Sequence, residues 1–224
     1  HGAVIGSQRG AGLSAAASVL LAYLKALAQV NGFTLSPAEQ VELVRQAENE
    51  QLGLNNGVQD QMSIVYGQPS ALTHLDILQR SATLIPDPPI ASKAGWLLVY
   101  SGFSRELLGS GFNSRVAECR EAAAHLHEGA LILDNVPPHK RDDPRLDLLP
   151  PHLARRARHF FGETERVRLG KAAWQSGDLA RFGQLMNESC HSSINLYESG
   201  SEPLITLQNI MLTKSAVWGS RFCG

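Results

Sequence analysis

Glycines at positions 10 and 12, in RGAGLSAAAS (residues 9–18), stand directly before a run of apolar residues at helical spacing. A turn that only small residues allow must therefore hand over at once to a helix. Behind it Leu20, Leu24, Leu27 and Val30, with Tyr23, recur at steps of three and four. That spacing predicts an amphipathic helix from Ser14 to Asn31-Gly32, where the glycine supplies a C-cap. The loop itself has two readings. Glycines ahead of a helix let backbone N–H groups close on an anion, with the positive end of the helix behind them. Alternatively they form only a tight turn. The loop lacks the Lys-Ser/Thr ending of a Walker A motif, and it is not GxGxxG.

A second helix starts at Ser36-Pro37-Ala38-Glu39, a capping box with proline at the first helical position, and is predicted to run to Leu52. Asn55-Asn56-Gly57 makes a turn, and a short helix is expected over 58–65. Residues 70–77 and 82–85 read as a hairpin, and 86–89 as a loop. GWLLVYSGF (95–103) has the unbroken apolar character of a strand buried on both faces. Helices are expected over 111–127, 151–175, 178–193 and 202–213, and a last strand over 216–224. The proline- and charge-rich stretch 129–150 reads as the boundary between two lobes. Helices mixed with a hairpin and isolated strands give an α+β fold class.

A net charge of −1 removes any global field toward nucleic acid or a membrane surface. No apolar stretch is long enough to span a bilayer. Three widely spaced cysteines without a CxxC pair argue for a reducing compartment and against a zinc or disulfide framework. Cys119, at helical spacing with Val116 and Ala123, is expected to pack in a core. Arg155, Arg156 and Arg158 are expected on a solvated helix face. His125 and His127 cannot share a helical face, and His152 and His159 lack a partner set, so no transition-metal site is expected.

Two acids carry more information. Glu48 lies seven residues after Val41, four after Val44 and four before Leu52, so it points to the buried side of its helix. A carboxylate there needs a partner: an arginine such as Arg45, or a magnesium ion. Asp60, in NNGVQDQ, falls near a helix N-terminus. It is either a capping or solvated acid, or a base that accepts a hydroxyl proton. Two acids behind a glycine-rich helix start are the parts that phosphoryl transfer uses.

Six blocks in one order carry a resemblance to a known family. AGLSAAAS resembles a phosphate loop usually written GLSSSAA, and AENEQLGLNNGVQDQ the segment with a magnesium glutamate followed by a catalytic aspartate. FNSRVAECREAA resembles YNxRVxECxxAA, and RRARHFFGETERV resembles RRAxHxxxExxRV. FGQLMNESCHSSINLYE and VWGSRFCG resemble two further blocks. Together they identify the chain as similar to the GHMP sugar kinases, in the galactokinase-like group, over nearly its whole length. YESGSEPLITL (197–207), with NEQLGLNNGVQDQ, resembles the galacturonate-phosphorylating members more than the galactose-phosphorylating ones.

The resemblance implies an α+β GHMP two-lobe fold, with a ribosomal S5 domain 2-like first lobe and a ferredoxin-like second lobe. Residues 1–128 would hold the ATP-binding lobe, with the second lobe starting from about 95, and 129–224 the rest of the second lobe. It implies an ATP-dependent sugar 1-kinase of the cytoplasm, acting on galacturonate or galactose, with ATP and Mg2+ and no nucleic-acid or membrane partner. Asp60 would be the catalytic base and a sugar contact, and Glu48 the metal ligand. The backbone of Gly10, Ala11, Gly12, Leu13, Ser14, Ala15 and Ala16 would wrap the ATP phosphates. Phe112 would take the place of a tyrosine near the sugar. Ala16 stands where the family usually has a third serine, whose hydroxyl lies on the phosphate and magnesium side. The family's GRVNLIGEHTDY-like and GAGFGG-like blocks are not found, so the chain is expected to be a fragment incomplete at both termini, inactive or unstable by itself. The losses at Ala15, Ala16 and Phe112 leave a non-catalytic sugar or nucleotide sensor as the alternative.

Overall fold

The computed structural model describes residues 13–52, 57–102 and 111–223. The glycine-rich stretch ahead of Leu13 lies outside the described residues. The rest falls into two compact units, one of the described residues up to Leu97 with Cys223, the other of Leu98–Gly102 and 111–222.

The first unit is three helices and a hairpin. Helices α1 (Ala15–Val30), α2 (Pro37–Leu52) and α3 (Gln59–Tyr66) start and stop where the punctuation predicts. The capping box at the head of α2 is formed in both directions. Ser36 N–H donates to Glu39 Oε2 at 2.7 Å, and Glu39 N–H donates to Ser36 Oγ at 3.3 Å. Strands β1 (Ala71–Asp76) and β2 (Ser81–Pro86) pair antiparallel from Ala71↔Pro86 to Asp76↔Ser81. Asp76 Oδ1 accepts from Gln79 N–H in the turn, and Tyr66 Oη donates to the Arg80 carbonyl, tying α3 to the hairpin. The core is Val41, Val58 and Met62, with Val65, Tyr66 and Leu75 against it.

The inward face of α1 corrects the sequence reading. Ala17, Leu21 and Ala28 are buried, while Tyr23 and Leu27 are exposed and Val30 is 84% exposed. The periodicity is right but the face is rotated. Alanine weighs little in an apolar count, yet it lets a helix approach its neighbours closely, and α1 packs on α2 and α3 through this alanine-bearing side.

The second unit is built on α4 (Phe112–Leu126), the short α5 (Asp143–Leu146), the long α6 (Pro151–Ser176), α7 (Leu179–Asn195) and α8 (Glu202–Leu212). Helices α6 and α7 form an antiparallel hairpin at Gly177, whose φ of 76° ends α6. Asp178 then caps α7 by accepting from Arg181 N–H. The stretch read as the lobe boundary lies inside this unit. Its Ala130, Leu133, Val136 and Leu146 share one core with Ala122, Ala123 and Leu126 of α4 and Leu153 and Ala157 of α6. Proline and charge limit that stretch to short helical turns, α5 among them, without detaching it.

Two predicted strands are absent among the described residues. Residues 95–102 form no strand, and Trp96 is 66% and Leu97 80% exposed. A strand buried on both faces needs ladder partners, and the hairpin is the one sheet among the described residues. Residues 213–223 also form no strand. There the backbone of Gly219 crosses α7 at Gly183, and a Cβ on either glycine would overlap the other's backbone. Ser220 N–H donates to Asn187 Oδ1 at 2.8 Å, and its carbonyl accepts from Gln208 Nε2 at 2.8 Å. Side-chain amides of α7 and α8 thus take the place of a neighbouring strand.

Candidate active site

The described part of the glycine-rich segment begins at Leu13. Ser14 precedes α1 with φ 53° and ψ 34°, a left-handed conformation that costs a non-glycine residue free energy. Its carbonyl accepts both the N–H and the Oγ–H of Ser18. Among the described residues no side chain caps α1, and its first turn holds no acidic residue. The positive end of the helix dipole, with its first-turn amides, is therefore not neutralised by a side-chain cap or a first-turn acid. Ala15 and Ala16 are exposed in that turn. Gly10, Ala11 and Gly12 lie outside the described residues.

Glu48 is 5% exposed, on the same face of α2 as Val41 and Val44. Arg45, the arginine nearest in sequence, binds the Glu42 carboxylate through Nε at 3.0 Å and through Nη2. Glu48 is met from α3, where Gln61 Nε2 donates to Glu48 Oε2. Gln61 is 1% exposed, and its own carbonyl oxygen has no hydrogen-bond partner. Asp60, one residue earlier, is exposed in the first turn of α3, where the helix dipole favours a negative charge. Glu48 and Gln61 are thus in contact, with Asp60 on the adjoining solvent side of the same helix. Phe112 is half-buried as the first residue of α4, in the second unit. Among the described residues no cluster of three His, Cys, Asp or Glu side chains is placed to hold a metal.

The sequence reading passed over Gln61, although Val58, Gln61, Met62 and Val65 trace one helical face. The same oversight befell the arginines of α6. Arg156 is buried, not solvated. Its Nε donates to Glu118 Oε2 at 2.6 Å, Nη1 to the Leu196 carbonyl at 2.7 Å and Nη2 to Glu198 Oε2 at 2.6 Å. Arg155 pairs with Glu198 Oε1 at 3.0 Å, and Arg158 with Asp143 and Asp147. Arg115 Nε donates to the Tyr197 carbonyl at 2.8 Å. Arg115, Arg155 and Arg156 hold the turn after α7, in which Glu198 has φ 55° and Gly200 φ 96°. The Arg156 guanidinium holds the Glu198 carboxyl below the usual carboxylate range. Burial, helped by the nearby Cys119, pushes the Tyr197 hydroxyl up to about 12. Cys119 is half-buried against the α4–α6 core, as expected, and burial raises its pKa. No helix among the described residues is long and apolar enough to cross a membrane.

Residues 6–68 match the GHMP kinases N terminal domain. A galacturonokinase of Arabidopsis thaliana is 41% identical over 220 residues, which covers 95% of this chain and 52% of that protein. A galactokinase of Roseiflexus sp. (strain RS-1) is 30% identical over 224 residues, covering 96% of this chain and 55% of that one. Among solved structures, Lactococcus lactis galactokinase complexed with galactose matches with a TM-score of 0.83 at 28% identity, over 96% of this chain and 55% of that chain. The chain spans about half the length of the curated relatives it matches.

Proposed function

We propose that this chain, which belongs to the GHMP kinases, is part of an ATP-dependent sugar 1-kinase whose acceptor is galacturonate, with galactose as the alternative. The observation that carries the reading is local. A buried carboxylate, Glu48, is tied to the residue next to an exposed one, Asp60, in the unit that also presents the uncapped start of α1. The preference for galacturonate is supported by 41% identity to a galacturonokinase against 30% to the galactokinase above.

In this reading the amides of Gly10 to Ala16 receive the phosphate oxygens of ATP, helped by the α1 dipole. Asp60 accepts the proton of the anomeric 1-hydroxyl as its oxygen bonds to the γ-phosphorus. The bond from that phosphorus to the β,γ-bridging oxygen breaks, giving the sugar 1-phosphate and ADP. Phe112 is the proposed apolar contact of the sugar. Glu48 would hold Mg2+, and the surroundings fit a hard cation: a buried carboxylate beside a buried amide oxygen that has no donor. When bound, the ion would neutralise charge on the β- and γ-phosphates.

The test is Asp60→Asn in the full-length protein, assayed with galacturonate and galactose. Turnover should fall by about 100-fold or more while Mg·ATP still binds, since only the proton acceptor is lost. Normal turnover in that variant would remove Asp60 from the role. Binding of ATP and sugar by the unmutated protein with no turnover of either would favour a sensor.

A further inference from the structure

Gln61 occupies a costly position. It lies on the inner face of α3 between Val58 and Met62, both wholly buried, in a core that is otherwise apolar. Its amide cannot be turned over freely. With Nε2 toward Glu48 it donates to a carboxylate, whereas the reverse orientation would press a carbonyl oxygen against that carboxylate. Glu48 therefore fixes which end is which, and the Gln61 carbonyl is left buried with nothing donating to it. A buried acceptor without a donor is destabilising, so a glutamine used only for packing would be a poor choice here.

The donor that fits is set by the neighbour. A carboxylate with an amide oxygen beside it is oxygen-ligand chemistry for a hard divalent cation, and Mg2+ keeps several of its waters when bound by protein. Those waters are strong donors.

We infer that Gln61 is a positioning residue for the cation site. Its Nε2 aligns the Glu48 carboxylate, and its carbonyl oxygen accepts a hydrogen bond from a water carried by the divalent cation. This rests on the reading of Glu48 as the cation's carboxylate. Partners of this kind around a metal typically change affinity by about 10–100-fold when removed.

The experiment is Mn2+ binding to the full-length protein in the presence of ADP, followed by electron paramagnetic resonance, for the unmutated protein, Gln61→Met and Glu48→Gln. Methionine keeps the length and shape of glutamine and loses both polar ends. Mn2+ affinity should fall about 10-fold or more in Gln61→Met. Gln61→Met removes the unsatisfied acceptor but also the donor to the buried Glu48 carboxylate, so the metal-free melting temperature should fall whatever the role of Gln61. A purely structural glutamine predicts the same lower melting temperature with Mn2+ affinity unchanged, so the affinity is the readout that decides. Unchanged affinity overturns the inference, and if Glu48→Gln abolishes Mn2+ binding in the same series, the reading of Glu48 survives it. If Glu48→Gln also leaves Mn2+ affinity unchanged, both fall. Should Gln61→Met fail to fold, Gln61→Asn carries the same test, because its shorter side chain cannot serve both ends.

Discussion

Replacing Arg156 by methionine isolates the guanidinium from its aliphatic stem. The side chain of Arg156 is only 4% exposed, and it makes two charge-assisted bonds and one bond to a backbone carbonyl. Each hydrogen bond to a charged group contributes about 1.5–3 kcal/mol. Both partners temper that sum. Glu118 is 26% exposed, and Glu198, at 45%, keeps Arg155 as a second cation. Removing one partner of a fully buried pair costs about 3–5 kcal/mol. With two partly hydrated carboxylates the expected loss for Arg156→Met is about 2–4 kcal/mol.

Urea unfolding of the protein, with a double-mutant cycle for each carboxylate, separates the terms. The coupling of Arg156 with Glu118 should exceed that with Glu198, because Glu118 is drier and Glu198 retains Arg155. The pair should also resist salt far better than the exposed Arg168–Glu165 pair. A loss below about 1 kcal/mol, or equal couplings to the two carboxylates, would refute the reasoning that burial sets the strength of this clamp.

Burial pushes His159 down to about 4, with Glu163 opposing the shift and Arg166, Arg221 and Arg156 adding to it; Ser192 Oγ lies 2.8 Å from its Nδ1. Because the unfolded chain binds this proton more readily than the folded one, stability should rise with pH between about 4 and 6.5, by at most about 1.4 kcal/mol per pH unit. His159→Gln should flatten that slope, and an imidazole titrating near 6.5 by NMR would contradict the burial argument. Gly219→Ala should cost about 1–3 kcal/mol by thermal unfolding and speed hydrogen exchange at the Ser220 amide, since the new methyl would meet the Gly183 backbone. Unchanged exchange there would mean that the two backbones do not hold each other.

Helix positions were legible because their signals are local. The Ser36–Glu39 box, Gly177 with Asp178, and the spacing in α6 each act within a few residues. The inward direction of Glu48 was legible for the same reason, as a polar residue on an apolar face. Gln61 and Arg156 obey that rule as well. Val58, Gln61, Met62 and Val65 share one face, as do Leu153, Arg156, Ala157 and Phe160. Both were passed over because a glutamine beside an aspartate, and an arginine in a basic run, suggest solvent. The GWLLVYSGF segment was not legible at all. An apolar run states that it needs cover and says nothing of what provides it, whereas ladder partners are a property of distant chain.

Ala15 and Ala16 bear on how the proposed phosphate site works. Both are exposed at the start of α1, and the helix packs through Ala17, Leu21 and Ala28 instead. Packing of α1 on its described neighbours therefore does not demand alanine at either position. Their effect on the site is chemical: the amides of the first turn remain and the hydroxyls do not. The left-handed Ser14 and the uncapped turn behind it still aim positive partial charge at whatever lies before the helix. In the proposed reading, with no hydroxyl at 16 to reach a cation, oxygen ligation in this unit would rest more heavily on Glu48. That in turn would make the proposed alignment of its carboxylate by Gln61 matter more here than in a relative with a full set of serines.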